Sequence, residues 1–94
     1  MVTMTHVDGK DKGSIKLYTL STCVWCKKTK KLLNDLGVAY DYTDVDMLDV
    51  NETEEAQAEI KKWNPPCSFP TMVINNKKCI VGYDEGKINH EFSN

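Results

Sequence analysis

Apolar residues recur along this chain with two spacings, one typical of β-strands and the other of α-helices. Alternation of apolar and polar positions indicates strands over residues 14–20 and 38–45. Apolar positions three to four residues apart, with polar residues between them, indicate helices. Capping residues, glycines and prolines bound these segments. The predicted strands cover residues 14–20, 38–45, 71–74 and 77–81, and the predicted helices run from the N-cap residues Ser21 and Thr22 to Gly37, over 52–63 and over 84–92.

The order of these elements, β-α-β-α-β-β-α, determines the fold class. Strands joined by a crossing helix pair in parallel with a right-handed connection, whereas the last two strands form an antiparallel hairpin. The sequence therefore predicts an α/β domain over residues 14–94, a mixed four-stranded sheet with helices on both faces. Residues 1–13 alternate weakly and contain an Asp8-Gly9 turn signal. They form either a β-arm that pairs with the next strand or a frayed tail.

Composition and charge narrow the classes of function. The 94 residues allow one domain, and the net charge of −2 argues against a nucleic-acid binder. The longest apolar runs are too short for a transmembrane helix, and the polar first 13 residues contain no apolar signal core. We therefore expect a cytoplasmic monomer that binds neither nucleic acid nor membrane.

The four cysteines are the candidate chemistry. Two of them form a Cys23-Val24-Trp25-Cys26 motif, which in a cytosolic chain is more often redox-active or metal-binding than structural. At the start of a helix, backbone N–H groups, the helix dipole and Lys27 would stabilise a Cys23 thiolate. Cys26 falls on the apolar stripe and should be buried. We therefore predict thiol–disulfide exchange, with Cys23 as the nucleophile, Cys26 as the resolving thiol and no other cofactor than their disulfide.

A metal site is the alternative interpretation of the same motif. Zinc commonly binds to two such cysteine pairs or to one pair with added histidines. Cys67 and Cys79 are separated by eleven residues and form no second pair, and His6 and His90 lie near the ends of the chain. We therefore expect no metal ligand.

The C-x-x-C at a strand–helix boundary, the Ser68-Phe69-Pro70 segment before a strand and the turn at Gly82 resemble the glutaredoxin branch of the thioredoxin fold. The resemblance covers about residues 14–92 and is closest to small redoxins, including the NrdH type that supplies electrons to ribonucleotide reductase. It implies that Pro70 is cis beside the active disulfide and that the Phe69 backbone pairs with an incoming peptide or thiol. Some relatives hold an iron–sulfur cluster, so an iron–sulfur-binding or metal-binding module is the alternative function.

Several residues depart from the glutaredoxin pattern. Val24 and Trp25 replace the usual Pro-Tyr pair, Leu20 stands where a lysine usually contacts the glutathione carboxylate, and Tyr83 replaces the second glycine of a Gly-Gly pair. These changes predict weak use of glutathione. The chain would then take electrons from a protein reductase, either a thioredoxin reductase or a ferredoxin-dependent disulfide reductase. It would deliver them to disulfide-containing proteins, with ribonucleotide reductase as a candidate.

The remaining predictions concern the surface around the cysteine pair. Cys67 is either an accessory thiol near the active face or an inert loop residue, and Cys79 is expected in the core. A run of lysines follows Cys26, whereas the segment from Asp35 to Glu59 has nine acidic residues and no basic one. The charges either steer an acidic partner or are solvated helix faces. We assign substrate binding to Val24, Trp25, Lys27, Phe69 and Pro70.

Overall fold

The computed structural model describes residues 2–92, which form a five-stranded sheet and three α-helices. The strands are β1 (Thr5–Val7), β2 (Ile15–Thr19), β3 (Tyr40–Asp44), β4 (Thr71–Ile74) and β5 (Lys78–Val81), and the helices are α1 (Val24–Leu36), α2 (Val50–Trp63) and α3 (Glu85–Phe92). A short 3-10 turn, Val45–Met47, lies between β3 and α2. Every element predicted after residue 14 is present at closely similar bounds. No helix within residues 2–92 is long and apolar enough to cross a membrane.

The central strand of the sheet is β2. The strand order is β1-β3-β2-β4-β5, with β2 parallel to β3 and antiparallel to β4. One face carries a buried cluster that joins Leu17 to Leu33 of α1 and Ile88 of α3. The other face carries a second cluster that joins Tyr18 to Ile60 of α2, which we call the α2-side cluster. The predicted architecture, a mixed sheet with helices on both faces, is therefore confirmed.

The N-terminal segment adds a fifth strand to this sheet. β1 pairs antiparallel with β3, so the interpretation that it pairs with the following strand β2 is wrong. Both edges of β2 are occupied by β3 and β4, so β1 pairs instead with the outer edge of β3. The connection after β1 runs close to the end of α1, where the Lys10 N–H donates to the Gly37 carbonyl over 2.8 Å. A Cβ at Gly9 would lie 2.6 Å from the Val38 carbonyl carbon, so only glycine fits there.

Residues at the boundaries of the helices and strands set three of these boundaries close to the predicted positions. Gly37 adopts a φ of +70° and donates its N–H to the Asn34 carbonyl, which closes α1. Asp49 caps α2 by accepting a hydrogen bond from the Glu52 N–H over 2.8 Å. The residues Asn75–Asn76 both have positive φ and turn the chain from β4 into β5.

Across β1 and β3, His6 lies opposite Asp41, and its Nδ1 is 2.7 Å from the Asp41 carboxylate. The hydrogen bond to Asp41 is the largest cause that raises the pKa of His6 above its ordinary 6.5. Because the pKa of His6 is higher in the folded than in the unfolded state, protonation of His6 stabilises the fold. This stabilisation is fully present below the unfolded pKa and is lost as the pH rises through the folded pKa.

We expect Asp41→Asn to lower the melting temperature at pH 5 more than at pH 8, because only protonated His6 gains from the carboxylate. Thermal unfolding at the two pH values measures this difference. His6→Gln should flatten the pH dependence in the same way. An identical pH dependence in the wild type and both variants would contradict the role of the pair.

Candidate active site

Cys23 itself begins helix α1. Its Sγ accepts a hydrogen bond from the Cys26 N–H over 3.2 Å, and its own N–H donates to the Leu20 carbonyl over 3.1 Å. The N-cap is therefore Cys23, and the prediction that Ser21 and Thr22 cap this helix is wrong. The hydroxyl of Ser21 donates to Asp46 instead, so this side chain is held toward the segment that follows β3.

This position gives the Cys23 sulfur a favourable environment for negative charge. The amide that donates to Sγ is one of the N–H groups left unpaired by the first turn of a helix, at the positive end of the helix dipole. Cys23 is also half-exposed, so a substrate can reach it. An accessible cysteine sulfur at a helix N-terminus is suited to attack a disulfide in thiol–disulfide exchange.

Cys26 has the opposite environment. Its side chain is 0% exposed, as the helical spacing predicted. Burial first, and then the hydrogen bond and negative charge of Cys23, raise the pKa of Cys26 to about 12, although the Leu20 backbone and the positive charge of Lys30 act in the opposite direction. Lys30 is held in place by Asp44, with Nζ 3.2 Å from the carboxylate. Cys26 is therefore a shielded, protonated thiol beside an exposed one.

Trp25 lies on the rim of the site and packs against the segment after β5. Its ring stacks on Tyr83 with centroids 5.8 Å apart, and the Lys28 Nζ lies 4.5 Å from the Trp25 centroid. Val24 and Lys27 are exposed beside it. Tyr83 is a rim residue that the sequence marked only as a replaced glycine, since the contact with Trp25 joins residues distant in the chain.

Pro70 lies at the same end of the sheet as the cysteine pair. The residue after it, Thr71, pairs with Tyr18 near the carboxyl end of β2. The Phe69–Pro70 peptide bond is cis, as the resemblance implied. The Pro70 carbonyl accepts a hydrogen bond from the Gly82 N–H over 2.8 Å. These contacts bring the Pro70 and Gly82 segments together beside the end of β2.

Asn64 organises the loop before Pro70, a role that could not be predicted from its position before two prolines. Asn64 is buried, and its amide donates to the Ser68 hydroxyl over 2.9 Å and to the Thr71 hydroxyl over 3.1 Å. The Thr71 hydroxyl in turn donates to the Ser68 carbonyl over 2.7 Å. A buried polar network of this kind fixes the conformation of the loop.

The other two cysteines differ in their surroundings. Cys67 has a φ of +56° and packs, half-buried, beside Trp63 and Phe69 in the α2-side cluster. Cys79 is also only half-buried, because β5 is an edge strand, so it does not fill the core as predicted. Within the described part of the chain, no group of three or more His, Cys, Asp or Glu side chains is placed to hold a metal ion.

The fold and the paired thiols define a class of α/β proteins that perform thiol–disulfide chemistry. The glutaredoxin family profile matches residues 15–80. The chain therefore belongs to the glutaredoxin family, and its fold is the thioredoxin-like fold of that family. Membership supports a thiol–disulfide redox function for the cysteine pair.

Individual relatives agree with this assignment. A glutaredoxin-like 8.6 kDa protein of Clostridium pasteurianum is 37% identical over 76 residues, which are 79% of this chain and 91% of that protein. The glutaredoxin of Methanosarcina mazei Go1 is 53% identical, with a TM-score of 0.91 over 97% of this chain and 88% of its own. Methanoredoxin of Methanosarcina acetivorans is 49% identical, with a TM-score of 0.88 over 92% of this chain and 90% of its own.

The different environments of the thiols predict a difference in alkylation. In the reduced, folded chain at pH 7, we expect iodoacetamide to modify Cys26 at least about tenfold more slowly than Cys23, because Cys26 is buried and protonated. Mass spectrometry of proteolytic fragments over time measures each rate. In guanidinium chloride the difference should disappear. Equal rates in the folded chain would show that Cys26 is not shielded.

Proposed function

We propose that this chain is a dithiol–disulfide oxidoreductase that reduces disulfide bonds in proteins. The observation that carries the proposal is the pairing of a half-exposed Cys23 Sγ at the helix N-terminus with a buried, protonated Cys26. In the first step the Cys23 thiolate attacks one sulfur of the substrate disulfide. The substrate S–S bond breaks, a mixed disulfide with Cys23 forms, and the other substrate sulfur leaves as a thiolate that takes up a proton.

The second step uses Cys26. Once Cys23 is in the mixed disulfide it carries no negative charge, so one of the causes that raise the pKa of Cys26 is removed, while Lys30 still favours the thiolate. Cys26 then loses its proton and attacks the Cys23 Sγ. The second substrate sulfur leaves as a thiolate, and the Cys23–Cys26 disulfide remains. Two electrons have passed from the dithiol to the substrate, and the disulfide is the only redox group that the cycle needs.

We assign substrate binding to the rim around Cys23. Val24, Trp25 and Lys27 are exposed on the first turn of α1, and an incoming extended segment would pass between them and the backbone of Phe69 and Pro70. The rigid rings of Trp25 and Phe69 offer apolar contact area at low entropic cost. Cys67, in the same loop as Phe69, remains a candidate accessory thiol.

We further propose that a protein reductase, rather than glutathione, restores the dithiol. Leu20, in place of the usual lysine, packs against the α2-side cluster and offers no charge to a glutathione carboxylate. Tyr83 covers part of the rim by stacking on Trp25. A thioredoxin reductase and a ferredoxin-dependent disulfide reductase are the candidate donors. Ribonucleotide reductase is a candidate acceptor, which would make the chain an NrdH-type electron carrier that acts as a cytoplasmic monomer.

Serine variants test the order of the two thiols. Cys23→Ser should abolish dithiothreitol-driven reduction of insulin, because the attacking sulfur is gone. Cys26→Ser should instead accumulate a mixed disulfide on Cys23, visible by mass spectrometry. Cys79→Ser on the edge strand is the matched control and should retain the rate. Full insulin reduction by Cys23→Ser would refute the mechanism.

The proposed electron donor is tested with a panel of reductases. We expect the oxidised chain to be reduced most slowly by glutathione with its reductase, compared with a thioredoxin reductase and a ferredoxin-dependent disulfide reductase. Consumption of the respective electron donor measures each rate, and a glutaredoxin with the usual lysine serves as the positive control for glutathione. Glutathione as the fastest donor would overturn the argument from Leu20 and Tyr83.

A further inference from the structure

All five large apolar side chains that are exposed within residues 2–92 lie at one end of the sheet. They are Val24, Trp25, Met47, Val50 and Val81. The parallel strands β2 and β3 both end there, and β5 ends there as well because it is antiparallel to β4. This is the end that carries Cys23. Single exposed apolar residues are normal, but a group confined to one end of a small domain is typical of an interaction surface.

The strand order divides this group into two sides. Trp25 contacts Tyr83 and so lies on the side of β5, whereas Met47 and Val50 follow β3, on the other side of central β2. We call Met47 and Val50 the β3-side patch; their side chains are 73% and 74% exposed. A hydrogen bond connects the patch to the segment that leads into Cys23: Asp46, next to Met47, accepts from the Ser21 N–H over 2.9 Å.

The charged residues that flank the β3-side patch along the chain are all acidic. Asp46 and Asp49 flank Met47 and Val50 in the chain, and Glu54 is exposed one helical turn after Val50, on the same face of α2. No lysine or arginine occurs from residue 32 to residue 60. Two lysines of α1 lie near Cys23 on different sides: the Lys28 Nζ is 4.5 Å from the Trp25 ring, whereas the Lys30 Nζ is paired with Asp44 at the end of β3. An apolar patch flanked by acidic residues is complementary to an apolar side chain accompanied by positive charge.

We propose that the β3-side patch docks a segment of a disulfide-containing protein in which an apolar side chain is flanked by lysine or arginine. The inference rests on the proposed redox function of Cys23 and names the class of protein it serves. A partner that contacts both Trp25 and this patch must extend across the segment that carries Cys23. Such a partner is a protein surface rather than a small thiol. Glutathione has two carboxylates and one ammonium group, so its net negative charge makes it a poorer match than a basic peptide for the patch flanked by Asp46, Asp49 and Glu54.

The test uses two synthetic peptides of equal length, each with one cysteine joined by a disulfide to thionitrobenzoate. One peptide carries leucine and lysines beside the cysteine, and the other carries leucine and glutamates. A third probe, N-acetylcysteinamide with the same thionitrobenzoate disulfide, has no docking segment. Attack by Cys23 on the peptide sulfur breaks the disulfide and releases thionitrobenzoate, whose absorbance gives the rate. A Cys67→Ser/Cys79→Ser background leaves only the active pair to react.

At an ionic strength of about 0.1 M, where charges more than about 10 Å away are screened, the lysine peptide should react at least about threefold faster than the glutamate peptide. Glu54→Lys should remove this preference. Met47→Ser/Val50→Ser should slow the lysine peptide about fivefold, as loss of about 1 kcal/mol of apolar contact predicts. The N-acetylcysteinamide probe should react equally with all variants.

Asp8→Lys is the matched control for Glu54→Lys. It makes the same change in net charge, but Asp8 follows β1 at the opposite end of the sheet, so the peptide preference should persist. Equal rates for the two peptides, a preference for the glutamate peptide, or a preference unaffected by Glu54→Lys would overturn the docking proposal. If the wild type failed to react even with N-acetylcysteinamide, the proposed redox function itself would be wrong.

Discussion

The burial of one stripe of α1 against the central strands is the constraint on which the rest of this structure depends. Cys26, Thr29 and Leu33 form that stripe, and all three are buried. The packing that stabilises the domain therefore also removes water from the Cys26 thiol. One turn earlier, at the N-terminus of α1, the helix begins beyond the end of β2. Cys23 therefore lies at the open end of the sheet. The stability of the domain and the difference in exposure between Cys23 and Cys26 therefore arise from the same contact.

Features that depend on neighbours in the chain could be predicted from the sequence. Gly37 ends α1 because only its own backbone freedom is involved, and Asp49 caps α2 through an amide three residues away. The start of α1 could not be assigned in the same way. Ser21 is a good capping residue by type, but Asp46, 25 residues later, competes for its hydroxyl and leaves the cap to Cys23. A local rule fails where a distant partner competes.

The same reason explains what else the sequence left open. Whether β1 pairs at all depends on which strand edges remain free after the core sheet has formed. The location of the candidate site followed from the cysteine motif, because its chemistry is contained within four residues. The Trp25–Tyr83 stack and the Asn64 network could not be predicted, since each joins residues from separate segments. The sequence thus predicts the position of the candidate thiols better than the surface that surrounds them.

The direction of β1 has a practical consequence for anyone who attaches this domain to something else. Because β1 is antiparallel to β3, its first residues lie beside the start of α2, where the Thr3 N–H donates to Glu52 over 3.0 Å. The last helix runs the other way, and Glu91 reaches Lys78 at the far end of β5. A label, tether or fused fluorescent protein placed ahead of Thr3 would emerge at the end of the sheet that carries Cys23. One joined after Phe92 would leave from the opposite pole, so a biosensor or an immobilised catalyst should be built from that side.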